Sequence, residues 1–299
     1  MPNLDYSKIS ITAKVVAYYR QFSDIPFASD VSDFIDAREA IEEITKTLAF
    51  ENYEQKEIFA EENKIYAPIL EMRYKSVVGL IQKSGINQIL ELASGFSLRG
   101  LSMAKNKNIS YVETDLSGIN AEKNRLLAVL QKKYDIGDFG NHHVISANAL
   151  DRSQLEQATT VLNQKKPIAI VNEGLIPYLS TNELSNLALN IRYVISQFAG
   201  GTWITPDFTT TSMTANVSEY IVKFRQAISG TTNRQIYQDT FDSEESIKNF
   251  LKEHGFNAHY SSQVDEASPL ISPSRVNVKP QDLNHIKAQM KIWTALPTR

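Results

Sequence analysis

The stretch from Ile89 to Gly100, which reads ILELASGFSLRG, constrains the fold of this chain more than any other. A short apolar run ends abruptly in small residues and a helix-like segment follows, which predicts a strand, a tight turn and a helix start. Ala93, Ser94 and Gly95 carry almost no side chain, so a ligand can approach the backbone closely. We expect the amides at the start of the helix to point towards that ligand. The dinucleotide fingerprint G-x-G-x-x-G is incomplete, because Ala93 occupies its first glycine position.

A second strand-like run, Ile109 to Leu116, ends on acids roughly twenty residues after this turn, the spacing of an acid that accepts hydrogen bonds from ribose hydroxyls. Glu113 and Asp115 point to the same side of an alternating strand. Asp115 lies closer to the strand end and is the predicted ribose ligand. Glu113 stays open as the alternative, or as an acid that only solubilises a loop.

Four short blocks together resemble a known family. In chain order they are ELASGF at Glu91–Phe96, YVETDL at Tyr111–Leu116, SANALD at Ser146–Asp151 and NEGLIPYL at Asn172–Leu179. Their order and spacing are similar to those of the leucine carboxyl methyltransferase-like family of S-adenosylmethionine-dependent enzymes. The resemblance implies a class I methyltransferase fold, an α/β architecture with a doubly wound, mostly parallel, Rossmann-like sheet of seven strands. It also implies methyl transfer to oxygen.

The resemblance assigns S-adenosylmethionine as the cofactor and implies its ligands in the first half of the chain. Arg73 occupies the place of a family arginine, and its planar fork of donors suits the cofactor's carboxylate. Three residues later the family has an acid where this chain has Ser76. The first block contributes Glu91, Ala93 and Gly95.

The third and fourth blocks supply the remaining predicted site residues. Asn148 and Ala149 stand where the family has an acid followed by leucine, and we predict that they bind adenine. Glu173 follows the apolar run Pro167–Val171, which predicts a buried central strand. It is therefore predicted at the sheet edge where open α/β sheets bind ligands, accepting a hydrogen bond from the cofactor's ammonium or from a neighbouring amide. Tyr178 matches the family and is predicted to face the substrate.

The chain divides into two predicted regions. Residues 1–75 form a helical extension that covers the pocket, with helical patterns over Ile9–Phe22, Pro26–Ile35, Ile41–Leu48 and Tyr53–Arg73. Residues 76–299 form the cofactor-binding domain. Within it, residues 209–240 interrupt the strand–helix alternation and are predicted to line the acceptor pocket, and the last two strands, Phe256–Val264 and Gln289–Ala295, are predicted to form a hairpin.

Composition narrows the function classes. A net charge of -3 with interspersed charges gives little support for nucleic-acid binding, and no apolar run is long enough to span a membrane. With no cysteine there is no disulfide framework or thiolate metal site, and the start of the chain does not resemble a signal peptide. Adjacent His142 and His143 point to opposite faces of a strand, so we predict no metal site. We expect a cytoplasmic enzyme.

The predicted activity is methyl transfer to a carboxylate or an acidic hydroxyl, on a small molecule or a protein C-terminus. A carboxylate acceptor is already ionised at neutral pH and needs no general base, whereas a hydroxyl acceptor needs one. Tyr178 and Asp207 are the candidates for such a base. The alternatives are a nucleotide-dependent oxidoreductase and a non-catalytic protein that binds S-adenosylmethionine. The oligomeric state is left open.

Overall fold

The computed structural model describes residues 10–298 except positions 49, 51, 138, 216–218, 220–221, 225 and 228–239. The strands are β1 Gln88–Leu92, β2 Ser110–Asp115, β3 His142–Ser146, β4 Ile168–Asn172, β5 Gly201–Thr205, β6 Phe256–Ser262 and β7 Lys291–Pro297. The α-helices, numbered in chain order, are α1 Ser10–Arg20, α2 Ala28–Phe34, α3 Ala37–Thr47, α4 Tyr53–Asn63, α5 Tyr66–Ser84, α6 Arg99–Met103, α7 Ser117–Tyr134, α8 Arg152–Ala158, α9 Thr181–Ser196, α10 Thr211–Ala215, α11 Glu244–Glu253, α12 Gln263–Glu266, α13 Ser272–Arg275 and α14 Pro280–Gln289. Short 3₁₀ turns occupy Thr159–Val161 and Ile176–Tyr178.

The seven strands form one sheet in the order β3-β2-β1-β4-β5-β7-β6. The five strands from β3 to β5 pair in parallel, while β7 is antiparallel to both β5 and β6. The predicted α/β fold class and the final hairpin are therefore confirmed. The strand order reverses between β1 and β4, and in open α/β sheets a ligand crevice lies at the carboxyl ends of such a pair.

Strand β4 lies in the middle of the sheet, and all five of its residues are buried. Ile168 and Ile170 belong to a cluster that includes side chains of α8 and α9, while Ala169 and Val171 pack with side chains of α5. Because alternate residues face opposite sides of a strand, only an uninterrupted apolar run can fill both layers. This requirement explains the apolar sequence of β4, from which a central strand is predicted.

Helix α5 joins the N-terminal helices to the sheet. Val77 and Ile81 pack on one sheet face, while Ala67 and Leu70, nearer the start of the helix, share a hydrophobic cluster with α1, α3 and α4. The predicted boundary after residue 75 falls inside this unbroken helix, and the division into two regions stays a prediction. The helix predicted over Tyr53–Arg73 is two helices, because α4 ends at Asn63 and α5 begins at Tyr66.

The connection between the hairpin strands is anchored on α5 by a buried carboxylate. Glu71 accepts hydrogen bonds from the amides of Ile271 (2.9 Å) and Ser272 (2.8 Å) and pairs with Lys75 at 2.7 Å. The predicted 209–240 insertion is only partly within the described residues, where α10 and residues 222–224 and 226–227 are helical. Across the described part of the chain, every helix is too short or too polar to cross a membrane, and no cluster of potential metal ligands occurs.

Candidate functional site

A cavity of about 1380 Å³ opens at the carboxyl ends of the parallel strands. All ten residues predicted for the site line it: Arg73, Glu91, Ala93, Gly95, Asp115, Asn148, Ala149, Glu173, Tyr178 and Asp207. They come from α5 and from the carboxyl ends of β1 to β5 or the turns that follow these strands, and the sheet brings them together. One wall consists of α1 side chains, including Ala13, Val16 and Arg20, so the N-terminal helices contribute directly to the cavity.

The turn after β1 adopts the backbone that its small residues allow. Ala93 has φ 49° and Gly95 has φ 51°, the left-handed region that glycine adopts without strain and most other residues avoid. A Cβ at Gly95 would meet no protein atom within 4 Å. Backbone conformation, rather than protein crowding, therefore explains the glycine, and the space above it is available to a ligand.

The amides of this turn are directed at the protein itself. Gly95 N–H donates to Asp115 Oδ2 (2.7 Å), Ser97 N–H to the Ser94 carbonyl (2.9 Å), and Gly100 N–H to Glu113 Oε1 (2.7 Å). The expectation that amides at the helix start point towards the ligand is therefore wrong for these positions. A pyrophosphate is bound by free amides of this kind, so the turn suits a ligand without phosphate.

Asp115 is the acid that faces the cavity at the end of β2. Its Oδ2 accepts the Gly95 amide and its Oδ1 the Leu116 amide, each at 2.7 Å. A carboxylate offers about four acceptor positions, so each oxygen keeps capacity for a hydroxyl donor. Burial raises the pKa of Asp115, although the two amide hydrogen bonds act to lower it.

Glu113, the alternative ribose ligand, does not line the cavity. Its side chain is fully buried and pairs with Lys123, itself fully buried, whose ammonium also donates to Ser94 Oγ at 2.9 Å. Burial acts to raise the pKa of Glu113, but the charge of Lys123 and the hydrogen bond with neighbouring His142 prevail and lower it to about 2. Through Ser94, the ion pair of Glu113 and Lys123 supports the Ala93–Gly95 turn. Glu113 is therefore not available as the ribose ligand.

Glu173 lies at the centre of a group of charges that we call the arginine–carboxylate cluster. Its members are Arg20, Arg73, Arg99, Glu91, Glu173 and Asp207. Glu173 Oε1 binds Arg20 Nη2 and lies 3.7 Å from Arg73 Nε, while its Oε2 accepts from Arg99 Nη2 at 2.6 Å. Burial acts to raise the pKa of Glu173, but the three guanidinium charges prevail and lower it to about 2.

The cluster extends to both neighbouring strands. Arg99 also pairs with Glu91 on β1, whose other oxygen accepts from Tyr111 Oη at 2.8 Å. The Tyr74 ring is buried beside two of these arginines. Its centroid lies 5.3 Å from the guanidinium carbon of Arg20 and 4.5 Å from that of Arg99. Three guanidinium groups and three carboxylates balance in charge, which makes their burial tolerable.

Asp207, after β5, is engaged by five donors. Oδ1 accepts from Arg73 Nη2 (2.7 Å) and the Gly174 amide (2.8 Å). Oδ2 accepts from Asn172 Nδ2 (2.7 Å) and from the amides of Leu175 (2.9 Å) and Ile176 (3.3 Å). These bonds fix the turn after β4, where Gly174 has φ 81°. These contacts indicate a structural role for Asp207, and its role as a base stays a prediction.

The remaining predicted residues occupy the other sides of the cavity. Asn148 Oδ1 accepts from the Leu150 amide at 3.0 Å, and Ala149 is buried beside it. Tyr178 ends the 3₁₀ turn Ile176–Tyr178 and is partly buried. Sequence reasoning missed Arg20 and Tyr74, because no local sequence pattern marks either of them as a site residue.

Comparison with known proteins identifies the family. A family model described as leucine carboxyl methyltransferase matches residues 31–192, which is more than half of the chain. The chain belongs to the leucine carboxyl methyltransferase family. No curated protein matches it.

Two solved structures support the fold of this leucine carboxyl methyltransferase family member, and a third is less similar to it. A candidate methyltransferase from Thermobifida fusca superposes with a TM-score of 0.55 at 15% identity, covering 100% of this chain and 98% of that one. An O-methyltransferase family protein from Burkholderia thailandensis gives a TM-score of 0.50 at 9% identity, covering 90% of this chain and 72% of the other. A candidate O-methyltransferase from Nostoc punctiforme has 12% identity and a TM-score of 0.48 over 77% of this chain. This chain spans 58% of that protein's length.

Family membership makes the protein a methyltransferase and S-adenosylmethionine its cofactor. It also decides against the nucleotide-dependent oxidoreductase that the incomplete glycine pattern left open. The amides of the turn after β1, which donate to the protein itself, are consistent with this cofactor, because S-adenosylmethionine carries no phosphate for them to bind.

Proposed function

We propose that this protein transfers the methyl group of S-adenosylmethionine to an oxygen atom of a carboxylate or an acidic hydroxyl, on a small molecule or a protein C-terminus. The observation that carries the proposal is the engagement of the acids at the centre of the site. Glu91 and Glu173 are paired with arginines, and Asp207 accepts from five donors. An acceptor that is already ionised needs no base from the protein.

The cavity residues fit the cofactor in three places. The two oxygens of Asp115 have capacity for the ribose hydroxyls above the Ala93–Gly95 turn. Asn148 and Ala149 would hold the adenine. Arg73 would bind the methionine carboxylate, and Glu173, which already attracts three cations, would accept the ammonium.

When bound, S-adenosylmethionine supplies an electrophilic methyl group on a sulfonium. An acceptor oxygen would form a bond to the methyl carbon as the sulfur–carbon bond breaks, and the electron pair of that bond would stay on sulfur. No proton moves if the acceptor is a carboxylate. The protein would align the two reactants in the cavity, one wall of which is α1, and Tyr178, which lines the same cavity, would contact the acceptor.

His285 on α14 makes the proposal testable. It lines the cavity, is exposed, and contacts Gln289 Nε2 at 3.1 Å. Histidine is the commonest general base, so His285→Gln should abolish most transfer to a hydroxyl of ordinary pKa but leave transfer to a carboxylate within about twofold. The assay is transfer of labelled methyl to acids and alcohols of matched skeleton, with Gln289→Ala as the control for lost packing.

The same assay addresses the remaining alternative of a non-catalytic binding protein. Transfer that depends on His285 across the whole acceptor set would refute the carboxylate proposal. Binding of S-adenosylmethionine with no transfer to any acid, alcohol or phenol would favour the non-catalytic reading.

A further inference from the structure

The cavity continues beyond the loops that are proposed to hold the cofactor. At about 1380 Å³ it exceeds the roughly 300–1,000 Å³ of a typical small-ligand site, so it has space for a second molecule. The extra space, which we call the acceptor chamber, is lined by Ile65, Tyr66, Ile69, Met213, Phe224 and Met290. None of these residues belongs to the turns after β1, β2 or β4.

The walls of the acceptor chamber are apolar and partly aromatic. The rings of Tyr66 and Phe224 lie 5.5 Å apart, and Phe59 packs behind Phe224 at 5.7 Å. Ile65 and Phe224 are almost completely buried, at 8% and 1% exposure. An apolar body gains free energy in such a chamber in proportion to the surface it buries.

A peptide would fit this chamber poorly. Each of its residues brings a backbone donor and an acceptor, and an amide buried without a partner costs on the order of 1–3 kcal/mol. The six residues that define the chamber offer mainly hydrocarbon surface to such groups. A small molecule without repeating amides avoids this cost.

The charges near the chamber differ between its two ends. Arg20 and Arg73 line the cavity on the cofactor side. Glu61 and Glu62 at the end of α4, and Asp282 on α14, line it elsewhere. Glu61 pairs with Lys64 at 2.5 Å, and Lys279 also lines the cavity, so the excess of negative charge is small. It still opposes a second anionic group on the acceptor.

We propose that the acceptor is a small monocarboxylic acid with an apolar body and an uncharged or cationic far end. Its carboxylate lies beside the sulfonium, and its body fills the acceptor chamber. This inference rests on the proposed function and narrows it, because it selects a small molecule over a protein C-terminus and one carboxylate over two.

The test compares four probes of related shape. They are 3-phenylpropanoic acid, 3-(4-carboxyphenyl)propanoic acid, 3-phenylpropan-1-ol and a tetrapeptide with a free C-terminal leucine. Binding is measured by calorimetry on protein loaded with S-adenosylhomocysteine, and turnover by labelled methyl transfer. The monocarboxylic acid should bind, and be methylated, at least tenfold better than each of the other three.

Two variants connect the result to the chamber. Ile69→Trp fills space in the chamber and should lower kcat/KM for the monocarboxylic acid at least tenfold, while affinity for S-adenosylhomocysteine stays within twofold. Asp282→Asn should raise kcat/KM for the dicarboxylic acid, relative to that for the monocarboxylic acid, by roughly fivefold. This is the effect of removing one nearby charge in water. Glu122→Gln, on α7, is the matched control. It should change neither kcat/KM for the monocarboxylic acid nor the preference between the two acids.

The outcomes separate this inference from the proposed function. Preference for the peptide, the dicarboxylic acid or the alcohol overturns the inference, and preference for the peptide or the dicarboxylic acid leaves carboxylate methylation standing. Absence of binding by all four probes to the loaded protein also overturns the inference. Failure to bind S-adenosylmethionine at all would instead remove the proposed function.

Discussion

Replacing Asp207 by asparagine tests whether this residue stabilises the site or acts on the substrate. Asparagine has nearly the same shape but only one acceptor oxygen. If that oxygen takes the place of Oδ2 it keeps the Asn172, Leu175 and Ile176 donors, and the new amide group faces Arg73 and the Gly174 amide. Two part-buried donors therefore lose their acceptor, and one of them is charged.

The size of the effect follows from those two losses. An unsatisfied buried donor costs about 1–3 kcal/mol, and breaking a buried ion pair costs about 3–5 kcal/mol. Arg73 retains Glu173 at 3.7 Å, which reduces the loss. We expect the free energy of unfolding to fall by roughly 3–5 kcal/mol in total.

Urea unfolding of the cofactor-free protein, followed by circular dichroism, measures this quantity. Asp151→Asn is the matched control, because Asp151 caps α8 at an exposed position and asparagine caps a helix about as well as aspartate. A stability unchanged within 0.5 kcal/mol, together with a large fall in kcat, would refute the structural role and restore Asp207 as a catalytic base.

Three further predictions concern the cofactor and pH. Asp115→Ala should weaken S-adenosylmethionine binding by roughly 1–3 kcal/mol in calorimetry, and unchanged affinity would exclude Asp115 as the ribose ligand. Arg73→Lys and Arg73→Ala should both weaken binding of the cofactor but not of a ligand lacking the amino-acid tail, because lysine cannot form the bidentate pair. If the wild type and both variants discriminate equally between the two ligands, Arg73 does not contact the carboxylate. The pKa of Glu173 is lowered from 4.5 to about 2 in the folded protein, so its stabilising contribution is complete above pH 4.5 and is lost as the pH falls towards 2. Glu173→Gln should flatten the acid limb of the stability curve in that window, and an unchanged limb in urea titrations would contradict the assignment.

The sequence predicted the sheet well because its signals are local. The apolar run at β4 and the acids at the end of β2 are each visible within about ten residues of chain. Eight of the ten predicted residues lie in the recognised blocks, and all ten line one cavity, because the carboxyl ends of parallel strands meet at one edge.

The missing parts of the site depend on long-range contacts. Arg20 binds Glu173 across 153 positions, and no local pattern marks an arginine at the end of a helix as a site residue. The side chain of Arg99 is fully buried between Glu91 and Glu173, a contact that its place at the start of a helix does not reveal. Asp207 was interpreted as a base because its position after a strand is visible in sequence, whereas the three backbone amides that it accepts are not.

Helix α5 and helix α14 differ in a way that bears on how this family can change its substrates. Ten residues of α5 are buried, and the same helix carries Arg73 into the cavity. Helix α14 lines the cavity but has no buried residue. Mutations on α14 can therefore accumulate without loss of folding, while those on α5 are constrained by the core. Selection for a new acceptor can act on one wall and leave the inherited cofactor chemistry intact.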